Sequence, residues 1–150
     1  MKAFFLFTPA FYQSALYEIT FYASDGDLQD YEQVLIQVVE AGNQSPVLHS
    51  IGSQSVLEGD SLILTIDATD PDGGSVVLAV DTLLHGASFV DSGNGTAIFE
   101  FYPEYVQSGV YNLTFTASDG DMADSELVEI TVVEAGNQPP ALVDSIGPKT

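Results

Sequence analysis

Residues 109–121 read GVYNLTFTASDGD, and their pattern is the clearest indication of the fold. Tyr111, Leu113 and Phe115 alternate with other residues at a period of two, which is typical of a strand with one buried face. The run then ends in Ser-Asp-Gly-Asp, in which Asp caps its own turn and Gly accepts a positive φ. The stretch therefore predicts a strand that ends in a tight turn.

The same pattern occurs a second time in the chain, 94 residues earlier. Residues 23–27 and 117–121 both read ASDGD, and residues 38–44 and 132–138 both read VVEAGNQ. After Leu48 and Leu142 one residue is inserted, and the segments that follow then match. These are Ser50-Ile51-Gly52 and Ser145-Ile146-Gly147. The chain is therefore expected to contain tandem repeats of about 94 residues.

The repeat divides the chain into three predicted parts. Residues 1–44 are the C-terminal half of an upstream repeat, residues 45–138 are one complete repeat, and residues 139–150 begin a downstream repeat. Because half a sandwich lacks its partner sheet, we expect residues 1–44 to be less stable, or to pair with another chain through an exposed edge. Residues 3–7 imitate the start of a signal peptide, but they recur as residues 97–101, so we expect a strand there.

The complete repeat contains further runs with the same alternation, separated by turn residues. Their apolar positions are Leu62, Leu64, Ile66 and Ala68; Val76, Leu78 and Val80; Ala97, Phe99 and Phe101; and Val128, Ile130 and Val132. Asn94-Gly95 predicts a hairpin because both residues accept positive φ. About seven short strands predict an all-β, immunoglobulin-like sandwich, with Tyr111 in the position of a tyrosine corner.

Composition limits what the chain can do. It carries 22 acidic and 2 basic residues, which give a formal charge of -20. We therefore expect neither binding to nucleic acid nor insertion into a membrane. It has no Cys, so disulfides and thiol chemistry are excluded. The two histidines, His49 and His85, have no neighbours at metal-ligand spacing. We therefore expect that the protein is not an enzyme.

Several motifs together resemble those of known surface proteins. They are GNQSP at 42–46, SVLEGD at 55–60, ATDPDG at 68–73, FYP at 101–103, and the stretch 109–120. They are similar to cadherin-like and dystroglycan-type cadherin-like repeats, and to immunoglobulin-like repeats of large bacterial surface proteins. The resemblance implies an extracellular or cell-surface structural or adhesive module. Its partners would be neighbouring repeats and other surface proteins or glycans. An alternative is an accessory carbohydrate-binding or spacer module of a secreted glycan-degrading enzyme.

The resemblance also implies Ca²⁺ sites at the junctions between repeats, where loops supply the six to eight oxygen ligands that this ion takes. The residues matching the upstream junction are Glu40, Asn43, Asp70, Asp72 and Asp119. Several carboxylates at one end of a sandwich would repel one another unless a cation joined them.

The downstream junction is matched by a smaller set of residues, namely Glu58, Glu134 and Asn137. The upstream linker carries Gly-Asn-Gln where a cadherin junction has more acid, which implies low affinity. Turn chemistry alone also explains Asp-Pro-Asp-Gly and Ser-Asp-Gly. Both interpretations of these acids stay open at the level of sequence.

Overall fold

The computed structural model of the chain describes residues 3–140, which form ten strands and no helix. The strands are β1 (Ala15–Ser24), β2 (Gln29–Val38), β3 (Val47–Leu48), β4 (Gln54–Leu57), β5 (Leu62–Thr69), β6 (Val77–Val80), β7 (Ala87–Asp91), β8 (Thr96–Phe101), β9 (Gly109–Ser118) and β10 (Ala123–Val133). The all-β class is confirmed. The described part of the chain has no helix that could cross a membrane.

Strands β3 to β10 form two four-stranded sheets. One sheet has the order β4-β10-β9-β6 and the other β3-β5-β8-β7. The pairing is antiparallel except between β4 and β10, which run parallel from Gln54 opposite Ile130 to Leu57 opposite Val133. The two sheets make an immunoglobulin-like sandwich.

The core lies between these sheets, and most of its residues are ones that the alternation predicted to share a face; Leu48 and Val56 are buried in it as well. Phe99, Phe101 and Phe115 are fully buried, and the ring centroids of Phe99 and Phe115 lie 5.5 Å apart at an interplanar angle of 87°. Edge-to-face contacts of this kind add to the stabilisation from burial. The tyrosine corner is confirmed, because the Tyr111 hydroxyl donates a hydrogen bond to the carbonyl oxygen of Gln107 over 2.9 Å.

The loop between β7 and β8 differs from the predicted hairpin in one detail. Asn94-Gly95 lies in a hairpin as predicted, but the residues with positive φ are Gly93 and Gly95, and no residue other than glycine has one within 3–140. Asn94 instead accepts hydrogen bonds through Oδ1 from the N–H and hydroxyl of Thr96, at 3.3 and 2.7 Å. Its side chain closes the loop locally and leaves the left-handed conformation to the glycines.

Strands β1 and β2 form a separate two-stranded hairpin that repeats β9 and β10 closely. Ala15 pairs with Val38 and Ser24 with Gln29, and all ten pairs have the register of β9 and β10 shifted by 94 residues. The tyrosine contact is repeated too, with the Tyr17 hydroxyl donating to the carbonyl oxygen of Gln13 over 3.0 Å.

Residues 3–7 are not a strand, which contradicts the prediction for them. Their counterpart β8 pairs with β5 and β7, whereas no strand lies beside residues 3–7 in the described part of the chain. Their aromatic rings nevertheless reproduce the core packing. Phe5 contacts Phe21 edge-to-face with a centroid distance of 5.5 Å, as Phe99 contacts Phe115.

The hairpin differs from β9 and β10 in what covers its apolar face. Phe21 is 40% exposed, whereas its counterpart Phe115 is fully buried. Ile19 and Ile36 are half-buried where Leu113 and Ile130 are completely buried. This face, which we call the open face, carries Tyr17, Ile19, Phe21, Ala23, Val34, Ile36 and Val38. The predicted start of a downstream repeat at 139–150 lies almost wholly outside the described residues.

Candidate functional site

The linker between β2 and the sandwich is attached to two turns at one end of the sandwich. The side-chain amide of Asn43 donates to Asp119 Oδ2 over 2.9 Å. The backbone N–H of Gln44 donates to Asp72 Oδ2. Three of the predicted upstream residues, Asn43, Asp72 and Asp119, therefore lie at the same junction.

Asp119 holds its own turn as well as the linker. Its Oδ1 accepts the backbone N–H groups of Met122 and Asp121 over 2.7 and 2.8 Å. These two donors, followed by the amide of Asn43, lower the pKa of Asp119 because each stabilises the charged form. Asp25 makes the same turn in the β1–β2 hairpin, and its pKa is lowered for the same backbone reason.

Asp70 and Asp72 belong to one tight turn. Asp70 Oδ1 accepts the N–H of Asp72 over 2.7 Å, and the Asp70 carbonyl accepts the N–H of Gly73 over 3.1 Å. The turn chemistry proposed for Asp-Pro-Asp-Gly is therefore present. Asp72 Oδ1 is buried and has no hydrogen-bond partner, unlike every other buried side-chain nitrogen or oxygen of the described residues.

Glu40 lies on the linker side of the same junction. Its Oε2 accepts the hydroxyl of Ser14 over 2.9 Å. Glu40, Asn43 and Asp72 also line one open groove together with Phe11 and Tyr12. The predicted upstream residues therefore lie at or beside one junction, and each is held by its own hydrogen bonds. Nowhere in residues 3–140 do three His, Cys, Asp or Glu side chains converge closely enough to hold a metal ion.

Glu58, predicted at the downstream junction, is only 2% exposed. Its Oε1 accepts the backbone N–H of Ser108 over 2.6 Å, and its Oε2 accepts that of Ala135 over 3.4 Å. A buried carboxylate is tolerable when backbone donors replace its lost hydration. Glu58 therefore connects the loop before β9 to the segment after β10. The turn motif in which Glu58 lies did not predict this connection.

Glu134 repeats the contact of Glu40. Its Oε2 accepts the hydroxyl of Ser108 over 3.1 Å, as Glu40 accepts that of Ser14. Asn137 is exposed in the segment after β10. The three predicted downstream residues follow the end of β4 and the end of β10, which are adjacent because these strands are parallel.

Two carboxylates that the sequence pattern did not single out attach the start of the sandwich to β10. Asp124 Oδ2 accepts the N–H of Leu48 over 2.9 Å. The oxygens Oε2 and Oε1 of Glu126 accept the N–H groups of Ile51 and Gly52, each over 2.8 Å. These two backbone donors hold the pKa of Glu126 below its ordinary value.

A signal for these two acids was present in the alternation. Positions 124 and 126 have the same parity as Val128, Ile130 and Val132, so their side chains lie on the core-facing side of β10. A carboxylate on that face requires donors from another part of the chain. The donors are backbone N–H groups, which the sequence pattern does not identify.

Two packed sheets, a parallel pairing of β4 with the last strand β10, and a tyrosine corner define the chain as an immunoglobulin-like β-sandwich protein. The model of the bacterial Ig domain family matches residues 43–131, which is more than half of the chain. The chain therefore belongs to the bacterial Ig domain family. No curated protein sequence matches the chain.

Solved structures with a similar fold come from proteins of different kinds. An endo-fucoidan hydrolase of glycoside hydrolase family 107 is 18% identical with a TM-score of 0.52, over 85% of this chain and 20% of that one. The SrpA adhesin from Streptococcus sanguinis is 10% identical with a TM-score of 0.51, over 63% of this chain and 58% of that one. At these identities the likeness shows the fold alone, and this chain spans only a part of each protein.

Proposed function

We propose that the chain is an extracellular or cell-surface structural module that transmits tension between its neighbours in a large surface or secreted protein. The observation that carries this proposal is the parallel pairing of β4 with β10. The upstream load passes the two-residue strand β3 and reaches β4 at Gln54, and the downstream load leaves β10 at Val133. These points lie at opposite ends of one strand pair, so tension shears all of its hydrogen bonds at once.

The two ends of the sandwich support the same role. At the upstream end, Asn43 and Gln44 tie the linker to Asp119 and Asp72. At the downstream end, Glu58 accepts the N–H of Ala135 beyond β10. Both attachments limit the freedom of the segments that leave the sandwich, which is what a spacer between repeats requires.

Force spectroscopy tests this function directly. Because the chain has no Cys, two introduced cysteines provide unique attachment points. Ser45→Cys with Gln138→Cys loads β4 and β10 in shear. Asp60→Cys with Gln138→Cys pulls on the adjacent ends of the same two strands and peels them apart one hydrogen bond at a time. We expect the shear pair to unfold at the higher force, because forced unfolding depends on the unfolding barrier.

The two cysteine pairs serve as controls for one another, because they act on the same fold. The free energy of unfolding without force should be similar for both, which chemical denaturation would measure. Equal unfolding forces in the two geometries would contradict the proposed role in transmitting tension.

We further propose that Ca²⁺ stiffens the upstream junction, as the cadherin-like resemblance implies. The supporting observation is Asp72 Oδ1, a buried oxygen without a hydrogen-bond donor, in the groove that Glu40 and Asn43 also line. An oxygen of this kind is a suitable ligand for a hard cation. The carboxylate of Asp119 is attached to the same linker, because it accepts the side-chain amide of Asn43 while Asp72 accepts the N–H of Gln44.

Titration calorimetry tests the calcium proposal. We expect weak binding, with a dissociation constant on the order of 1 mM, as in extracellular modules with few charged ligands. Asp72→Asn should abolish the heat, because the amide lacks the charge but still accepts the N–H of Gln44. The matched control is Asp121→Asn, whose exposed side chain lies in the neighbouring turn. Absence of heat at millimolar calcium would remove the proposal.

The parent protein of such a module has two candidates. It is either a surface adhesin or, as the alternative, a secreted glycan-degrading enzyme in which the module serves as a spacer or binds carbohydrate. In either parent protein, the pairing of β4 with β10 would resist tension and the junction contacts would set the spacing of the neighbouring domains.

A further inference from the structure

Residues 47–52, which we call the entry segment, lie between the linker and β4 and contact both sheets of the sandwich. Val47 and Leu48 form β3 and pair with β5, and the N–H of His49 donates to the carbonyl oxygen of Asp67 over 2.9 Å. The other attachments run to β10, the strand that pairs with β4. A load from the upstream side therefore passes through this segment before it reaches β4.

Two acidic side chains of β10 make the attachments on that side. Asp124 Oδ2 accepts the N–H of Leu48 over 2.9 Å, and Glu126 accepts those of Ile51 and Gly52, each over 2.8 Å. A hydrogen bond to an ionised acceptor is roughly twice as strong as one between neutral groups. Three such bonds are therefore comparable in strength to the backbone pairing that follows in β4.

These bonds follow β10 in the same direction as the parallel pairing of β4. Leu48 is held at position 124 and Ile51 at position 126, and Gln54 then lies opposite Ile130. Each later residue of the entering chain is thus held further along β10. Tension along the strands therefore strains the carboxylate bonds and the β4–β10 pairing in the same sense.

The surroundings of Glu126 favour its charged form. Its pKa is lowered because the N–H groups of Ile51 and Gly52 stabilise the carboxylate. The charge of Asp124 acts in the opposite direction but is a smaller effect. Glu126 therefore keeps its charge-assisted bonds at neutral pH and in mild acid.

The pair of acids belongs to the repeat and not to this sandwich alone. The β1–β2 hairpin carries Asp30 and Glu32 at the equivalent positions, 94 residues before Asp124 and Glu126. In both hairpins these positions have the parity of the apolar face. An acid on that face needs donors from another segment, and in the sandwich the entry segment supplies them.

We propose that Asp124 and Glu126 pass tension from the entry segment directly to β10, so that their bonds and the β4–β10 pairing share the load. They act as positioning residues of the contact that was proposed above to transmit tension, and their role depends on that function. They extend the contact beyond the four residue pairs of β4 and β10. The pairing of β4 itself uses backbone groups and does not require them.

Force spectroscopy of the whole chain with two attachment points separates this role from ordinary stabilisation. Ser45→Cys with Gln138→Cys applies the load upstream of the entry segment, whereas Ser53→Cys with Gln138→Cys applies it between that segment and β4. We expect the 45/138 pair to unfold at the higher force, because the carboxylate bonds share the load only there. Both 45 and 53 lie beyond Gln44, so the linker contacts carry no load in either geometry.

Substitution of the two acids should change one geometry and not the other. Asp124→Ala with Glu126→Ala should lower the force for the 45/138 pair to that of the 53/138 pair, and leave the latter unchanged. The entry segment should then come away first, as an extension of at most about 30 Å, the span of nine extended residues. Glu126→Gln, which loses one of the two acceptor oxygens, should give an intermediate force.

Glu129→Ala is the matched control, because it removes an exposed acid from the opposite face of the same strand. It should leave the force unchanged in both geometries. An equal loss of force in both geometries on substitution of the two acids would show that they only stabilise the sandwich, which overturns the proposal.

Two further results would also overturn it. One is an unchanged force for the 45/138 pair when both acids are removed. The other is an equal force for the 45/138 and 53/138 pairs with both acids present, a comparison that needs no substitution in β10. None of these results bears on the pairing of β4 with β10, which the comparison of shear with peeling tests separately.

Discussion

Phe115→Ala should lower the free energy of unfolding of the sandwich by about 3–5 kcal/mol, because it removes a fully buried ring and leaves a cavity. The ring of Phe115 lies between the two sheets, against Phe99 and Phe89 of the opposite sheet, with centroid distances of 5.5 and 6.2 Å. Hydrogen-exchange mass spectrometry at low protein concentration measures the effect as lost protection of β9 and β10.

The chain offers a matched control for this substitution, because Phe21 is its counterpart 94 residues earlier. Phe21 has the same position in a hairpin of the same register but is 40% exposed. Phe21→Ala should change the protection of the sandwich by less than about 0.5 kcal/mol, as surface substitutions do. If Phe21→Ala reduced the protection of β1 and β2 as much as Phe115→Ala reduces that of β9 and β10, the open face would be covered in solution.

The parts of the fold that the sequence predicted well depend on local patterns. The alternation around Leu113 and Phe115 identified β9 and its buried face, because a strand places successive side chains on opposite sides whatever lies around it. The hydroxyl contact of Tyr111 was predictable for a similar reason, since its acceptor is only four residues away.

The parts that were missed depend on contacts between distant residues. β7 was not predicted, because its half-buried Ala87 and Phe89 are a weak pattern, and its pairing with β8 defines it. Residues 3–7 were predicted as a strand because they repeat β8, but a strand also needs a neighbour to pair with. The local sequence of a segment does not state whether that neighbour is present.

The candidate site shows the same division. The resemblance to cadherin-like repeats named Asp70 and Asp119 as candidate ligands, whereas the turn sequences Asp-Pro-Asp-Gly and Ser-Asp-Gly predicted the turn hydrogen bonds that both make. The burial of Glu58 was not predictable, because its donors lie 50 and 77 residues away in the chain. The roles of Asp70 and Glu58 as calcium ligands remain predictions that calorimetry can test.

Gly95→Ala should destabilise the sandwich by about 3 kcal/mol or more, through the backbone and not through the core. Gly95 is buried with φ of +78°, a conformation that costs a residue with a side chain about 1 kcal/mol or more. An added Cβ would also lie 2.6 Å from the carbonyl oxygen of Ala68 in β5. The N–H of Ala68 donates to the Gly95 carbonyl over 2.8 Å, so the loop cannot move away without losing this bond.

Gly93→Ala measures the cost of the positive φ without a steric clash. Gly93 lies in the same loop with φ of +73°, and an added Cβ there would meet no atom within 4 Å. It should cost only the conformational term, about 1–2 kcal/mol. Urea denaturation of both variants measures the difference, which we expect to be at least about 1 kcal/mol. The loss in Gly95→Ala should appear as a lower midpoint with an unchanged slope, since the surface exposed on unfolding is the same. Equal midpoints for the two variants would mean that β5 and the β7–β8 loop do not approach each other as closely as the structure places them, and that the hairpin is held by β7 and β8 alone.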